Sequence, residues 1–179
     1  ALYFPLILGG QMVMRDLLKL AVAVAVTFAL IPLLPAASTK GAEHSFIGSR
    51  KCRTCHIKEH RSWEETKMAK ALDILKPGQR AEAKTAAGLD PDKDYSKDAK
   101  CLPCHTTGHG KDGGFVDVES TPDHVGVGCE MCHGAGADHA GNTTLPLELV
   151  SEEACTSMCH TPEQSPDFDY PAYLLQVTH

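Results

Sequence analysis

Residues 126–141 read GVGCEMCHGAGADHAG, with Cys129 and Cys132 directly before His133. The same arrangement occurs three more times in the 179-residue chain, and all eight cysteines belong to these four pairs. The other three are Cys52-Arg-Thr-Cys55-His56, Cys101-Leu-Pro-Cys104-His105 and Cys155-Thr-Ser-Met-Cys159-His160. The last pair has three residues between its cysteines, where the others have two. An interpretation of the chain must therefore account for four histidines as well as for eight cysteines.

Covalent haem attachment explains both residue types. Two thiols add across the two vinyl groups of a haem, and the adjacent histidine binds the iron from one face. Disulfides would suit an exported protein but would not require the histidines. At this chain's histidine frequency, four such coincidences have a probability on the order of 10⁻⁵. Structural zinc does not require histidine directly after the second cysteine, and a thioredoxin-like site needs one cysteine pair and not four. The motifs predict four c-type haems.

The rest of the composition agrees with a core built from cofactors. Residues 43–179 contain only seven aromatic side chains, which is little material for a core made of protein alone. We therefore expect a small multihaem cytochrome in which the haems form the core. The net charge of −6, without a basic tail, argues against a nucleic-acid partner.

The N-terminal segment predicts export. Residues 14–42 begin with Met14-Arg15, continue through an apolar run and end in small residues, as a secretory signal peptide does. Pro32 and Pro35 argue against an uncleaved anchor, so no membrane span is expected in the mature protein. Residues 1–13 are predicted to be non-native upstream sequence, which leaves 43–179 as the haem domain. The expected location is the periplasm or the cell surface.

Local patterns predict a few elements between the motifs. A helix is expected over residues 57–76, because Pro77-Gly78 is a stop signal, and a second helix over residues 79–87. Alternating residues after a glycine pair predict a short strand over 113–119. The expected fold is therefore mainly α with few short strands. Charge is divided: residues 50–111 hold 14 basic side chains, whereas residues 112–179 hold 12 acids and no Lys or Arg. This division fits either ordinary solvated faces or a dipolar surface that orients redox partners.

The chain resembles the cytochrome c-554 family, closely over residues 46–141 and more loosely beyond them. The residues that carry the resemblance are Arg50-KCRTCH, Ser62-Trp63, Ala69-Lys70-Ala71, Lys76-Pro77, Leu89-DPDKD-Tyr95, Cys101-LPCH, Gly113-Gly114-Phe115, Glu119-Ser120 and Gly126-VGCEMCHGAG. This resemblance implies an exported, mainly helical tetrahaem cytochrome that transfers electrons from hydroxylamine oxidation. Relatives with similar motifs occur in other respiratory chains.

The motifs predict the proximal iron ligands, and the resemblance implies most of the distal ones. The proximal ligands are His56, His105, His133 and His160. Haems 1 to 4 are numbered in the order of these motifs along the chain. By resemblance, His139 would complete haem 1, and His179, near the end of a late helix, would complete haem 4. The natural chain could also extend past His179.

Two distal positions depart from the family or stay open. Met68 stands where the family places a histidine after Trp63, and it is our candidate for haem 3. The resemblance implies a five-coordinate haem 2, whereas His124 or His109 would fill that position in the alternative. His60 and His109 follow a proximal histidine by four residues and cannot reach the opposite face of the same haem if that segment is helical.

Three functions fit these motifs. The first is a carrier that passes single electrons between redox protein donors and acceptors in a respiratory chain. The second is a haem enzyme acting on nitric oxide, hydroxylamine or nitrite at an open haem 2. The third is a filament subunit whose missing ligand comes from a neighbouring copy, so oligomerisation is left open. We favour the electron carrier, for which no catalytic residue is expected.

Overall fold

The structure is a computed structural model that describes residues 44–179. The expected upstream segment (1–13) and signal peptide (14–42) lie outside the described residues. Within the described part, no helix is long and apolar enough to cross a membrane.

Short helices joined by turns make up the described part of the chain. The α-helices are α1 (Ser49–Arg53), α2 (Ile57–Glu64), α3 (Ala81–Ala86), α4 (Leu102–His105), α5 (Cys129–His133), α6 (Ala137–Gly141), α7 (Glu152–Thr156) and α8 (Tyr170–Val177). Two 3₁₀ turns, Asp73–Leu75 and Pro122–His124, complete the set. The predicted mainly helical fold is confirmed. The longest helices among residues 44–179 have eight residues, so tertiary contacts must stabilise them.

The predicted strand over residues 113–119 is wrong. In residues 44–179 the only β pairing is an isolated antiparallel bridge between Thr106 and Val125. The N–H groups of Val116 and Asp117 bond to the hydroxyl of Thr121, at 2.9 and 3.2 Å. Because a nearby side chain satisfies these donors, no strand ladder is needed.

The helix predicted over 57–76 is shorter than expected and ends at Glu64. The carbonyl of Met68 accepts a hydrogen bond from Val127 N–H at 2.9 Å, and Trp63 Nε1 donates to the carbonyl of Val127 at 2.8 Å. These contacts tie the segment after α2 to the residues that lead into α5. The second predicted helix is present, as α3, and is likewise shorter than expected.

The protein core is small. A cluster of buried apolar side chains lies between the 3₁₀ turn at 73–75 and α4, and consists of Leu72, Leu75, Tyr95, Leu102 and Phe115. This is little apolar material for the 136 residues described. The small protein core agrees with the expectation that haem completes the interior.

Candidate haem-binding centre

The cysteine motifs lie on short helices or at their ends. The third motif coincides with α5, and the second with the N-cap and body of α4. The first begins within α1 and ends at His56, the N-cap of α2. All eight cysteines are free of disulfide bonds. Their thiols are therefore available for thioether formation.

The first and third motifs meet through their leading cysteines. Cys52 and Cys129 are in hydrogen-bonding contact through their sulphur atoms, and this contact raises the pKa of Cys52. The same hydrogen bond lowers the pKa of Cys129 to about 7. The leading cysteines of the first and third motifs, 77 residues apart in sequence, therefore lie next to each other.

The fourth motif contacts both the third and the second. Burial raises the pKa of Cys132 to about 11, and the neighbouring Cys155 adds to this effect. Burial also raises the pKa of Cys159 to about 12, with contributions from the charge and hydrogen bond of Cys104. Cys104 Sγ lies 3.6 Å from the carbonyl oxygen of Met158, inside the fourth motif. The cysteine motifs therefore follow one another in space in the order 1–3–4–2.

Two imidazole pairs lie at a separation that suits one iron between them. The ring centroids of His56 and His139 are 6.1 Å apart with an interplanar angle of 32°. Those of His133 and His179 are also 6.1 Å apart, with an angle of 62°. Metal–nitrogen bonds of about 2.0 Å, with about 1.1 Å from nitrogen to centroid, place two axial imidazoles about 6.2 Å apart. Both observed pairs match this spacing.

The position of His179 differs from the sequence expectation. The resemblance implied that it would complete haem 4, beside His160, whereas its ring lies beside His133 of the third motif. The ring of His160 stacks instead on Phe168, with centroids 4.1 Å apart and planes inclined by 17°. The helix α8 thus directs the C-terminal histidine to a different motif from the one that precedes it in sequence.

Several histidines have a hydrogen bond at Nδ1 that leaves Nε2 free to bind a metal. A carbonyl oxygen can only accept, so a ring nitrogen bonded to one must carry the proton, which leaves the lone pair of Nε2 for a metal. The ring nitrogens with such a contact, at 2.7 to 3.2 Å, are Nδ1 of His105, His133, His139 and His179. In His160, Nδ1 lies 3.1 Å from the hydroxyl oxygen of Ser165. The residues present therefore fit axial coordination of haem iron.

The remaining histidines lie in different surroundings. His109 Nδ1 is 3.3 Å from the carbonyl of Phe115. His124 is buried against Gly48, and neither ring nitrogen has a hydrogen-bond partner. His60 is also buried and packs edge-on against Trp63, with Nδ1 at 3.5 Å from Glu64, too far for a good hydrogen bond. Within residues 44–179, no imidazole faces His105 as His139 faces His56.

Met68 is half-buried in the segment after α2. Its carbonyl oxygen bonds to Val127 N–H, two residues before Cys129. The backbone of Met68 therefore lies beside the start of the third motif. This neighbourhood fits the predicted role of Met68 at haem 3.

Sequence reasoning missed Glu130, one of the two spacer residues of the third motif. Its side chain is 3% exposed, and its carboxylate accepts hydrogen bonds from the N–H groups of Ile47, Gly48 and Gly136. The sequence signal that could have found it is an acidic residue between the two cysteines of the motif. A motif read only for its cysteines and histidine passes over it.

Cysteine pairs that can form thioethers, followed by histidines arranged for axial coordination, define a c-type cytochrome with covalently bound haem. A family model described as "Cytochrome c554 and c-prime" matches residues 51–134. Cytochrome c-554 of Nitrosomonas europaea is 39% identical over 125 residues, which are 70% of this chain and 53% of that protein. The chain thus spans about half the length of this curated relative.

The comparison with solved structures agrees. The reduced state of cytochrome c554 from Nitrosomonas europaea matches with a TM-score of 0.64 at 32% identity, over 73% of this chain and 81% of that chain. The chain belongs to the cytochrome c-554 family.

Proposed function

We propose that this protein carries four haems, one at each cysteine motif, and transfers single electrons along them. The observation that carries the proposal is the spatial order of the motifs, 1–3–4–2. Cys52 contacts Cys129, and Cys159 contacts Cys132 and Cys104. Cysteines of successive motifs in this order are therefore neighbours. Closely spaced haems are what a chain of one-electron steps requires.

The imidazole geometry supports two bis-histidine sites. We assign His56 with His139 to haem 1, and His133 with His179 to haem 3, on the basis of their 6.1 Å separations. His179 would then take the place expected for Met68 at haem 3, and Met68 would be available to haem 4, since no second imidazole faces His160 within residues 44–179. Haem 2 would then be held by His105, with no second side chain assigned to its iron.

Each bound haem would supply a one-electron couple. The chain determines the position of each haem and its reduction potential. The Nδ1 hydrogen bonds of the axial histidines orient their rings and increase their basicity. A thioether ligand from Met68 would raise the potential of its haem relative to a bis-histidine site. The buried cluster around Leu72 and Phe115 keeps water away from the interior. These differences give the haems unequal potentials and therefore a direction of transfer.

Haem stoichiometry and reduction kinetics test this function. We expect the intact mass and the pyridine haemochrome spectrum of the purified protein to give four haems per chain. Rapid mixing with substoichiometric reductant should show electrons redistributing among the haems within one molecule. Fewer than four haems, or reduction of one haem without redistribution, would contradict the proposal.

A second function is favoured by one observation, the absence of a facing imidazole at His105 within residues 44–179. An open iron at haem 2 would bind nitric oxide, hydroxylamine or nitrite, with the other haems supplying electrons. Turnover of one of these compounds by the reduced protein, lost in a variant that adds a ligand to haem 2, would establish an enzyme.

Export and partners belong to the same proposal. The signal-peptide pattern in residues 14–42 supports a periplasmic or cell-surface location, where redox protein donors and acceptors of a respiratory chain would be met. N-terminal sequencing of the mature protein tests this directly. A mature chain that begins between residues 36 and 43 is expected, whereas retention of the apolar run would contradict it.

A further inference from the structure

Glu130 is the most deeply buried carboxylate among the described residues, with 3% of its side chain exposed. Oε1 accepts from the N–H groups of Ile47 at 2.9 Å and Gly136 at 2.8 Å. Oε2 accepts from Gly48 at 2.8 Å and also lies 3.2 Å from Ile47 N. All its partners are donors, the pattern of an ionised carboxylate. Within residues 44–179, no Lys or Arg pairs with it.

The three donors come from segments that position the first and third haem motifs. Ile47 and Gly48 lead into α1, which carries Cys52, and Gly136 is the N-cap of α6, which carries His139. Glu130 itself lies in α5, directly after Cys129. One carboxylate thus connects the attachment side of haem 1, its distal histidine and the helix of haem 3.

Gly136 packs closely against Glu130 and Ile47. A Cβ atom there would lie 3.1 Å from Glu130 Oε1 and 3.3 Å from Ile47 Cδ1. A side chain at position 136 would therefore require the Glu130 carboxylate or Ile47 to move by a few tenths of an ångström. Movement of the carboxylate would shift α1 and α6 relative to each other, and with them the facing rings of His56 and His139.

The negative charge has a second consequence. Oxidation of a haem adds one positive charge to it, so a nearby buried carboxylate stabilises the oxidised form. Water and counterions screen this interaction less in the interior than at the surface. We propose that Glu130 is a positioning residue that holds His139 across from His56, and that its charge lowers the reduction potential of the haem attached at the first motif. This inference rests on the proposed haem sites.

The test is Glu130→Gln in the haem-loaded protein, compared with Glu65→Gln. The control removes the same charge from an exposed position on the C-terminal side of α2. Spectroelectrochemical titration should show one haem of Glu130→Gln reduced about tenfold more readily at a given potential, an upward shift of about 59 mV for one electron. Its low-spin electron paramagnetic resonance (EPR) signal should change as well. Glu65→Gln should leave both properties unchanged. An unaltered potential in Glu130→Gln would overturn the electrostatic part of the proposal.

Glu130→Asp separates charge from position and remains informative if the Gln variant does not accumulate. Aspartate keeps the charge but withdraws both oxygens by one carbon. We expect the redox equilibrium constant of the first haem to stay within threefold of the wild-type value. Its low-spin EPR signal should nevertheless change. A tenfold shift in Asp would contradict the assignment to charge, and an unchanged signal would contradict the positioning role. A haem count below four in the wild type would instead refute the proposed function.

Discussion

The imidazole rings of His133 and His179 face each other with centroids 6.1 Å apart, although 46 positions separate them in sequence. The first ring belongs to a cysteine motif, and the second lies two residues after the end of α8. Each Nδ1 lies near a carbonyl oxygen, Glu148 for His133 and Val177 for His179. Both Nε2 atoms are therefore available to a metal between the rings.

Replacement of His179 by alanine should open the third haem. The cysteine thioethers and His133 remain, so the haem content should stay the same. One low-spin EPR signal should disappear, and a high-spin signal of equal intensity should replace it. His44→Ala is a suitable control, since the side chain of His44 is 86% exposed. Retention of all low-spin signals in His179→Ala would contradict the pairing with His133.

Carbon monoxide should bind to about one quarter of the haem in the reduced wild-type protein, because only haem 2 is expected to have an open position. The change in the Soret band, normalised to haem content, measures this fraction. Full coordination would leave the band unchanged and would make His124 or His109 the best candidate for the missing ligand.

His124→Leu should leave carbon monoxide binding unchanged and should not destabilise the protein. The two ring nitrogens of His124 are buried without partners, and an unsatisfied buried polar group costs about 1–3 kcal/mol. An apolar side chain of similar size removes that cost. Thermal unfolding monitored at the Soret band tests stability. Additional carbon monoxide binding in His124→Leu would show instead that His124 ligates an iron.

Met68→His should lower the reduction potential of one haem, because imidazole favours the oxidised iron more than a thioether does. We expect a change of about a hundredfold in the redox equilibrium, which is about 120 mV for one electron. Lys67→His is the matched control, because it adds the same imidazole at the neighbouring exposed position and should leave the potentials unchanged. Equal potentials in Met68→His and the wild type would exclude Met68 as a ligand.

Thr107→Val should destabilise the fold by about 1–3 kcal/mol. Thr107 is completely buried, and its hydroxyl donates to the carbonyl of Gly126 and accepts from Gly128 N–H, both at 2.8 Å. Valine keeps the shape and loses both hydrogen bonds, which join the segment after His105 to the start of α5. Thr143→Val, at an exposed position, should change stability by less than about 0.5 kcal/mol. Chemical denaturation of both variants provides the comparison.

Sequence patterns predicted the mainly helical fold, but not the limits of the helices. Pro77-Gly78 indicated a helix stop, yet α2 ends thirteen residues earlier, where Trp63 bonds to Val127. The strand over 113–119 failed because Thr121 provides the acceptor for two backbone donors. In the first case a partner distant in sequence determined the backbone conformation, and in the second a side chain just outside the predicted strand did so.

The cysteines and their adjacent histidines determined the haem attachment chemistry by themselves, because thioether formation and proximal ligation depend on local spacing along the chain. Only the tertiary structure decided which histidine faces which. It brought His139 to His56 and His179 to His133, ordered the motifs 1–3–4–2 and buried Glu130 among three backbone donors. A distal ligand approaches the iron from the face opposite the motif. Its identity therefore depends on how separate segments pack in three dimensions, which the spacing within a motif cannot specify.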